Sequence, residues 1–283
     1  MSDRQEFLQD VLYPVVLIRA KSAGGSGTVV WSGPGENGKI ETYILTNQHV
    51  IDGLIKVEKK FDEFLKREQM KETLATAEVS FYRYPGGSRC EGKLEIQADI
   101  VAYSKDLDLG LLKLRSGIEA EFVAKLAPPE REDDIFLGEP VCAVGAALGH
   151  PPIMTDGHIN YMDDEIDNSN YWLTSANIIF GNSGGAVFLH STREFIGIPS
   201  RVAVSQIGWS ASAITHMGFF IPFPVIYKWL RSQYYHFIIG EESYEKCKED
   251  REKAQDEMGR MADLNQAQLI EPKKEEKKYY YKR

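Results

Sequence analysis

The residues best suited to do chemistry are a serine framed by glycines, a histidine and an aspartate. The serine is Ser183 in Gly181-Asn182-Ser183-Gly184-Gly185, where small neighbours leave space for a carbonyl and leave backbone N–H groups free to hold an oxyanion. An unactivated serine hydroxyl is a weak nucleophile, so it needs a base and a group that orients the base. His49 and Asp108 lie upstream and are the predicted base and acid. The pattern therefore predicts nucleophilic catalysis at Ser183.

These residues follow segments that read as β-strands. Residues 28–31 and 42–46 flank a turn rich in Gly and Pro, and the second of these strands leads into a short helical turn that carries His49. Further strands are predicted at 79–84, 94–103 and 111–114, and a closing helix is predicted at 225–230, as is a second strand-rich unit at 136–222.

Two segments depart from this strand pattern. Residues 54–77 are rich in Lys and Glu and place Ile55, Phe61 and Phe64 at spacings that suit an amphipathic helix, so a charged helical insertion is predicted there. Residues 241–283 are also charged and have few apolar residues, which favours a capping helix over a coiled coil, followed by a mobile tail. The predicted units are therefore 1–127, 128–240 and 241–283.

Several motifs occur together in the order of one known family. The chain resembles trypsin-like serine proteases of the chymotrypsin fold, and within them the HtrA-like bacterial branch. The matching segments are Gly25-Ser26-Gly27-Thr28-Val29-Val30, Leu45-Thr46-Asn47-Gln48-His49-Val50, Asp108 with the apolar residues after it, 138–145, the serine turn, 195–198 and 218–222. The resemblance implies an all-β fold of two six-stranded antiparallel β-barrels with a closing helix. No segment is left for a PDZ-like domain.

The resemblance also implies roles for single residues. It implies a serine endopeptidase in which His49, Asp108 and Ser183 form a catalytic triad and the amides of Gly181 and Ser183 form the oxyanion hole. Asp106 is a rival acid, since residues two apart point to the same side of an extended segment. The family's acid directly precedes an aliphatic-small-aliphatic run, which favours Asp108.

The specificity pocket follows from the same resemblance. Its predicted lining is Asn177, Ile178, Phe180, Ser200, Arg201 and Val202. Asn177 lies where trypsins carry the aspartate that selects Lys or Arg, and a buried cation without such a partner is destabilised by several kcal/mol. Val202 would narrow the pocket. Cleavage after small or medium apolar residues is therefore expected.

Composition restricts the function classes. The net charge of −9 disfavours a nucleic-acid binder, and no apolar run is long enough to predict a membrane span. The three cysteines lack metal-ligand spacing, so no metal and no cofactor are predicted. With no signal-like N-terminus, these features predict a cytoplasmic location.

A polypeptide substrate is the predicted partner, and a second class of function stays open. A non-catalytic binding or chaperone-like protein could use the same scaffold, because neither the insertion nor the extension is needed for peptide hydrolysis. Homo-oligomerisation or docking of a partner through 54–77 or 241–283 is the corresponding expectation.

Overall fold

The computed structural model describes residues 3–21, 23–62, 67–85, 89–207 and 210–270 of the 283-residue chain. These residues form two closed barrels and a separate two-stranded sheet. The α-helices among them are α1 (Asp3–Val11), α2 (Gln48–Ile51), α3 (Phe223–Ser232) and α4 (Tyr244–Ile270). None of these helices combines the length and the apolar character needed to cross a membrane.

The first barrel contains six antiparallel strands. They are β1 (Val15–Ala20), β2 (Ala23–Pro34), β3 (Ile40–Thr46), β6 (Ala77–Arg83), β7 (Gly92–Ser104) and β8 (Leu109–Leu114). The sheet closes in the order β1-β2-β3-β8-β7-β6. Aliphatic side chains such as Val16, Ile44 and Leu112 are buried in it, because alternate residues of a strand face the same side.

The second barrel also contains six antiparallel strands. They are β9 (Pro140–Gly145), β10 (Ile153–Ile166), β11 (Ser169–Thr174), β12 (Ala186–Leu189), β13 (Phe195–Ile207) and β14 (Ser210–Pro222). They close in the order β10-β11-β14-β13-β12-β9. The helix α3 follows directly and buries Phe223, Ile226 and Leu230, which confirms the predicted closing helix.

One apolar cluster runs from the first barrel into the second. It joins Leu45 and Leu109 of the first barrel to Val144 and Val187 of the second. Leu45 and Leu109 lie close in sequence to His49 and Asp108, and Val187 follows the turn that carries Ser183. The predicted fold of two six-stranded antiparallel barrels is confirmed. The predicted unit boundaries at 127 and 240 stay predictions.

The prediction of a helical insertion at about 54–77 is wrong. This segment forms an antiparallel hairpin of β4 (Ile55–Asp62) and β5 (Arg67–Leu74). Cross-strand pairing unites Val57, Phe61 and Met70 on one face, and the opposite face is polar. The local Lys and Glu content favours a helix only weakly, and strand pairing overrides it. Phe64, which supported the helical spacing, lies outside the described residues.

The predicted helical extension is confirmed up to residue 270. Its first turns pack on the first barrel, where the Tyr244 ring stacks on Trp31 at 6.1 Å and Cys247 is fully buried. The Phe237 ring packs edge-on against both of these rings, with its centroid 5.1 Å from the centroid of each. The start of α4 therefore caps a barrel, whereas residues 271–283 of the predicted tail lie outside the described part of the chain.

Candidate active site

His49 lies on α2, a single helical turn that begins directly after β3. Val50 and Ile51 are buried beneath this turn and anchor it to the first barrel. The His49 side chain remains 48 % exposed. The residue before the helix, Asn47, is buried and donates its side-chain amide to the Asp108 carbonyl at 2.9 Å. This contact ties the histidine-bearing turn to the loop that carries the acid.

Asp108 is the carboxylate at His49. Both of its carboxylate oxygens lie 2.9 Å from His49 Nδ1, and Oδ1 also accepts the His49 backbone N–H at 3.0 Å. The Ser200 hydroxyl donates to Oδ2 at 2.7 Å. Residues 105–108 form a turn, and the extended backbone that would direct Asp106 and Asp108 to the same side is therefore absent from this segment. The Asp106 carbonyl instead accepts the Ser169 hydroxyl at 3.2 Å.

The surroundings keep Asp108 ionised. Burial alone would raise the pKa of this carboxyl, but hydrogen bonds from the His49 ring, the Ser200 hydroxyl and the His49 backbone N–H outweigh it and lower the pKa below its ordinary value. A depressed folded-state pKa stabilises the fold above the unfolded-state pKa, and this contribution is lost as pH falls through the folded-state pKa. An ionised Asp108 accepts a hydrogen bond from a protonated Nδ1 of His49. The lone pair is then on Nε2 of the same ring.

Ser183 lies on a tight turn just before β12. Gly181 has a φ of 98° and Gly184 a φ of 85°, which side-chain-bearing residues rarely adopt. A Cβ on Gly184 would lie 2.1 Å from the Ser26 carbonyl oxygen, and one on Gly181 would lie 2.6 Å from Leu148 N. Conformation and space therefore both require glycine on each side of this serine.

The Ser183 hydroxyl is connected to the His49–Asp108 pair through Ser200. Its Oγ lies 3.5 Å from the Ser200 carbonyl oxygen, and the hydroxyl of the same Ser200 binds Asp108. Within the part of the chain that the structure describes, no hydrogen bond joins Ser183 to His49. Such bonds are often long before substrate binds. The structure thus pairs His49 with Asp108 directly and holds Ser183 beside them.

The predicted oxyanion donors are the N–H groups of Gly181 and Ser183. Among the described residues, neither N–H has a hydrogen-bond acceptor. The Leu148 N–H donates to the Phe180 carbonyl at 2.9 Å. Because a trans peptide points its C=O and N–H to opposite sides, the Gly181 N–H is directed away from Leu148. This geometry leaves both donors available to a ligand oxygen.

An apolar wall lies beside the serine turn. Ile178 is buried and packs so closely on Gly218 that a Cβ there would lie 2.4 Å from Ile178 Cδ1. Gly218 in turn pairs with Val202 across β13 and β14. Asn177 is exposed, and its carbonyl accepts the Thr155 hydroxyl at 2.8 Å. Of the predicted pocket residues, Ile178 and Val202 thus lie together at Gly218.

The other predicted pocket residues have different surroundings. The Arg201 guanidinium contacts Asp167 at 2.6 Å and lies 5.0 Å from the Tyr171 ring centroid, so its charge is already paired. Phe180 is 75 % exposed. Ser200 contacts Asp108 through its hydroxyl and Ser183 through its carbonyl. In the described residues, no cluster of His, Cys, Asp and Glu could hold a metal ion.

Three residues of the site were not assigned from sequence, although each lies within a motif that was singled out. They are Asn47, which binds the Asp108 carbonyl; Gly218, which packs on Ile178; and Ser26, whose hydroxyl donates to the Gly181 carbonyl at 2.6 Å. The motif marked each position as special. The partners come from distant segments, so the contacts themselves could not be found from spacing.

Comparisons with known proteins agree with this fold. HtrA-type proteases share the fold at low identity: AlgW with a tripeptide has 21% identity over 82% of this chain and 63% of its own, with a TM-score of 0.58. AlgW with a decapeptide has 19% identity over 86% and 69%, with a TM-score of 0.57, and Deg5 has 22% over 81% and 94%, with a TM-score of 0.55.

This chain therefore spans less than two thirds of the tripeptide-bound AlgW chain. Among curated proteins, no sequence matches. The family model of the trypsin-like peptidase domain matches residues 25–198, which is more than half of the chain and includes His49, Asp108 and Ser183. The chain belongs to the trypsin-like peptidase family.

Proposed function

We propose that this chain is a serine endopeptidase that cuts polypeptides through an acyl-enzyme. The observation that carries the proposal is the pairing of His49 Nδ1 with both carboxylate oxygens of Asp108 at 2.9 Å, beside the glycine-framed turn of Ser183. An ionised acid, an oriented imidazole and a hydroxyl are the three groups that acyl transfer requires. The N–H groups of Gly181 and Ser183, which have no acceptor among the described residues, support the proposed peptidase function.

The reaction follows from these positions. Ser183 Oγ turns from the Ser200 carbonyl to His49 Nε2, gives up its proton and attacks the substrate carbonyl carbon. The Gly181 and Ser183 N–H groups hold the oxyanion, and His49 then protonates the departing amine as the C–N bond breaks. Water repeats the sequence on the acyl group, since His49 takes its proton and returns it to Ser183 Oγ. Asp108 keeps the tautomer and stabilises the imidazolium throughout.

A fluorophosphonate probe tests this proposal, because it reacts with an activated serine. We expect the folded protein to be labelled at Ser183 only, as mapped by mass spectrometry, and to cleave casein. Ser183→Ala and heat-unfolded protein should not be labelled. Folded protein that is neither labelled nor active on casein or on a small ester would instead support a non-catalytic binding protein on the same scaffold.

We propose that the pocket accepts small or medium apolar side chains. Ile178 occupies the space against Gly218, and Val202 lies across from the same glycine. Asn177 carries no charge, so a Lys or Arg side chain would find no ionic partner from this position. The apolar wall and the missing charge together favour residues no larger than valine or leucine at the cut site.

Replacing Ile178 with alanine should enlarge this pocket. We expect kcat/KM for a peptide with Phe at the cut site to rise relative to one with Val by about 10-fold or more, because a few methylenes in such a pocket change discrimination by roughly 10–200-fold. Paired fluorogenic peptides measure the ratio.

Ile159→Ala is the matched control, since Ile159 is equally buried in the second barrel on β10. It should lower stability without changing the Phe-to-Val ratio. An unchanged ratio in Ile178→Ala would remove Ile178 from the pocket.

Docking of a partner or of a second copy through 54–77 or 241–283 stays a prediction, as does the cytoplasmic location. The hairpin of β4 and β5 exposes Val57, Phe61 and Met70 on one face. The start of α4 already packs on the first barrel, so its first turn serves an intramolecular contact.

A further inference from the structure

We propose that Ser26 is a positioning residue that sets the geometry of the oxyanion hole from the opposite barrel. This inference rests on the proposed peptidase function. Ser26 lies on β2 of the first barrel and is fully buried, whereas the proposed donors Gly181 and Ser183 belong to the second barrel. The serine touches neither the nucleophilic oxygen nor the proposed base, so its role is exerted through the turn.

The Ser26 hydroxyl makes two short hydrogen bonds to the second barrel. Its Oγ donates to the Gly181 carbonyl at 2.6 Å and accepts the Ala146 N–H at 2.7 Å. The Ser26 backbone N–H donates to the Ser183 carbonyl at 2.7 Å. One residue therefore holds the turn at both Gly181 and Ser183, which are the two residues whose N–H groups would bind the oxyanion.

The bond to the Gly181 carbonyl controls the spacing of those donors. This carbonyl belongs to the peptide between Gly181 and Asn182, and that peptide lies in the chain between the two donor N–H groups. On the other side of Gly181, Leu148 N–H holds the Phe180 carbonyl at 2.9 Å. Glycine rotates freely, so the direction of its N–H depends on these outside contacts. Ser26 supplies one of the two.

The segments around this hydroxyl are closely packed. A Cβ on Gly145 would lie 3.0 Å from Ser26 Oγ and 2.7 Å from Asn182 Cα, which shows how closely the segments pack around it. Without the hydroxyl, the Gly181 carbonyl and the buried Ala146 N–H lose their partner, and an unpaired buried polar group is unfavourable. The turn is then expected to shift so that the Gly181 carbonyl finds another donor.

The test is Ser26→Ala in the full chain. We expect kcat to fall about 10–100-fold with KM changed less than about 3-fold, since one complete oxyanion donor is worth about 10²–10³ in turnover. A peptide boronate, whose tetrahedral adduct on Ser183 needs the oxyanion hole, should bind more weakly by a similar factor. The amine-side product peptide, which places no oxygen in the oxyanion hole, should bind Ser26→Ala as well as it binds the parent, and the pH midpoint of kcat/KM should not move.

Ser32→Ala is the matched control. The Ser32 hydroxyl likewise makes two hydrogen bonds, one with the Thr42 hydroxyl at 2.7 Å and one from the Ala120 N–H at 2.9 Å, but it lies far along β2 from the serine turn. Its loss should lower Tm and leave kcat unchanged. If Ser26→Ala does not fold, Ser26→Cys keeps the size with a weaker donor, and an intermediate loss of kcat is expected.

Equal kinetic losses in Ser26→Ala and Ser32→Ala would overturn the proposal, because the effect would then be general destabilisation. Equal weakening of boronate and product binding would overturn it as well. If the parent is active and Ser26→Ala matches it, the inference alone fails. An inactive, unlabelled parent contradicts the proposed function, and the role of Ser26 falls with it.

Discussion

Replacing Ser183 with alanine should lower kcat for peptide hydrolysis by about 10⁶-fold, the loss seen when the nucleophile of such a triad is removed. Without Oγ no acyl-enzyme forms, and His49 has no hydroxyl to deprotonate. KM should change little because the pocket and the oxyanion donors remain. Single-turnover and steady-state cleavage of a quenched fluorogenic peptide measure both quantities.

The control for this prediction is that the losses of kcat in His49→Ala and Ser183→Ala do not add. His49→Ala should cost about as much as Ser183→Ala, and the double variant should lose no more than either, because the two residues act as one unit. Ser191→Ala, which removes an exposed hydroxyl bound to Glu139, should leave kcat unchanged. Substantial turnover by Ser183→Ala would show that another group is the nucleophile.

Replacing Asp108 with asparagine should lower kcat by about 10⁴-fold at neutral pH. An asparagine can donate to Nδ1 and so favours the tautomer with its proton on Nε2, where His49 can no longer accept the Ser183 proton. It also removes the negative charge that stabilises the imidazolium. The pH dependence of kcat/KM, followed upward from pH 5, measures the change.

Asp106→Asn is the matched control for this prediction. Asp106 lies two residues before Asp108. Its backbone carbonyl, which this substitution keeps, accepts the Ser169 hydroxyl. We expect kcat of Asp106→Asn to change less than twofold. The variant should still lose stability as pH falls through the depressed pKa of Asp108, as the parent does. A large loss in Asp106→Asn with a small one in Asp108→Asn would reverse the assignment of the acid.

The sequence motifs predict much of the site. His49 and Asp108 each sit at an end of a strand, and their contact requires only that β3 and β8 be neighbours, as they are. The succession of strand-like segments separated by turns indicated two all-β units. Local spacing carries this information because residue type and strand period are both local properties.

Ser26 shows why the rest of the site could not be predicted. Its segment was identified only as one that matches the family, and its acceptor and donor lie at Gly181 and Ala146 on the other barrel. No spacing rule connects residues so far apart. The same holds for Gly218 beneath Ile178, whose meaning depends on the register of β13 and β14.

The helix prediction for the segment that forms the hairpin of β4 and β5 was wrong for the opposite reason. Its local composition was informative but misleading, because Lys and Glu are common in helices and apolar residues fell at helical spacing. Val57, which alternates with Ile55 in the period of a strand, carried the correct signal. Pairing such as Lys59 with Met70 decides the outcome, and pairing is a property of two segments together.

The strand that closes the second barrel is β14, which pairs with both β11 and β13 and is the last strand in the described part of the chain. A ribosome releases the amino-terminal barrel, with His49 and Asp108 on it, well before this strand appears. The wall around Ser183 cannot form until then. A growing chain therefore lacks a complete second barrel until the residues up to Pro222 have left the ribosome.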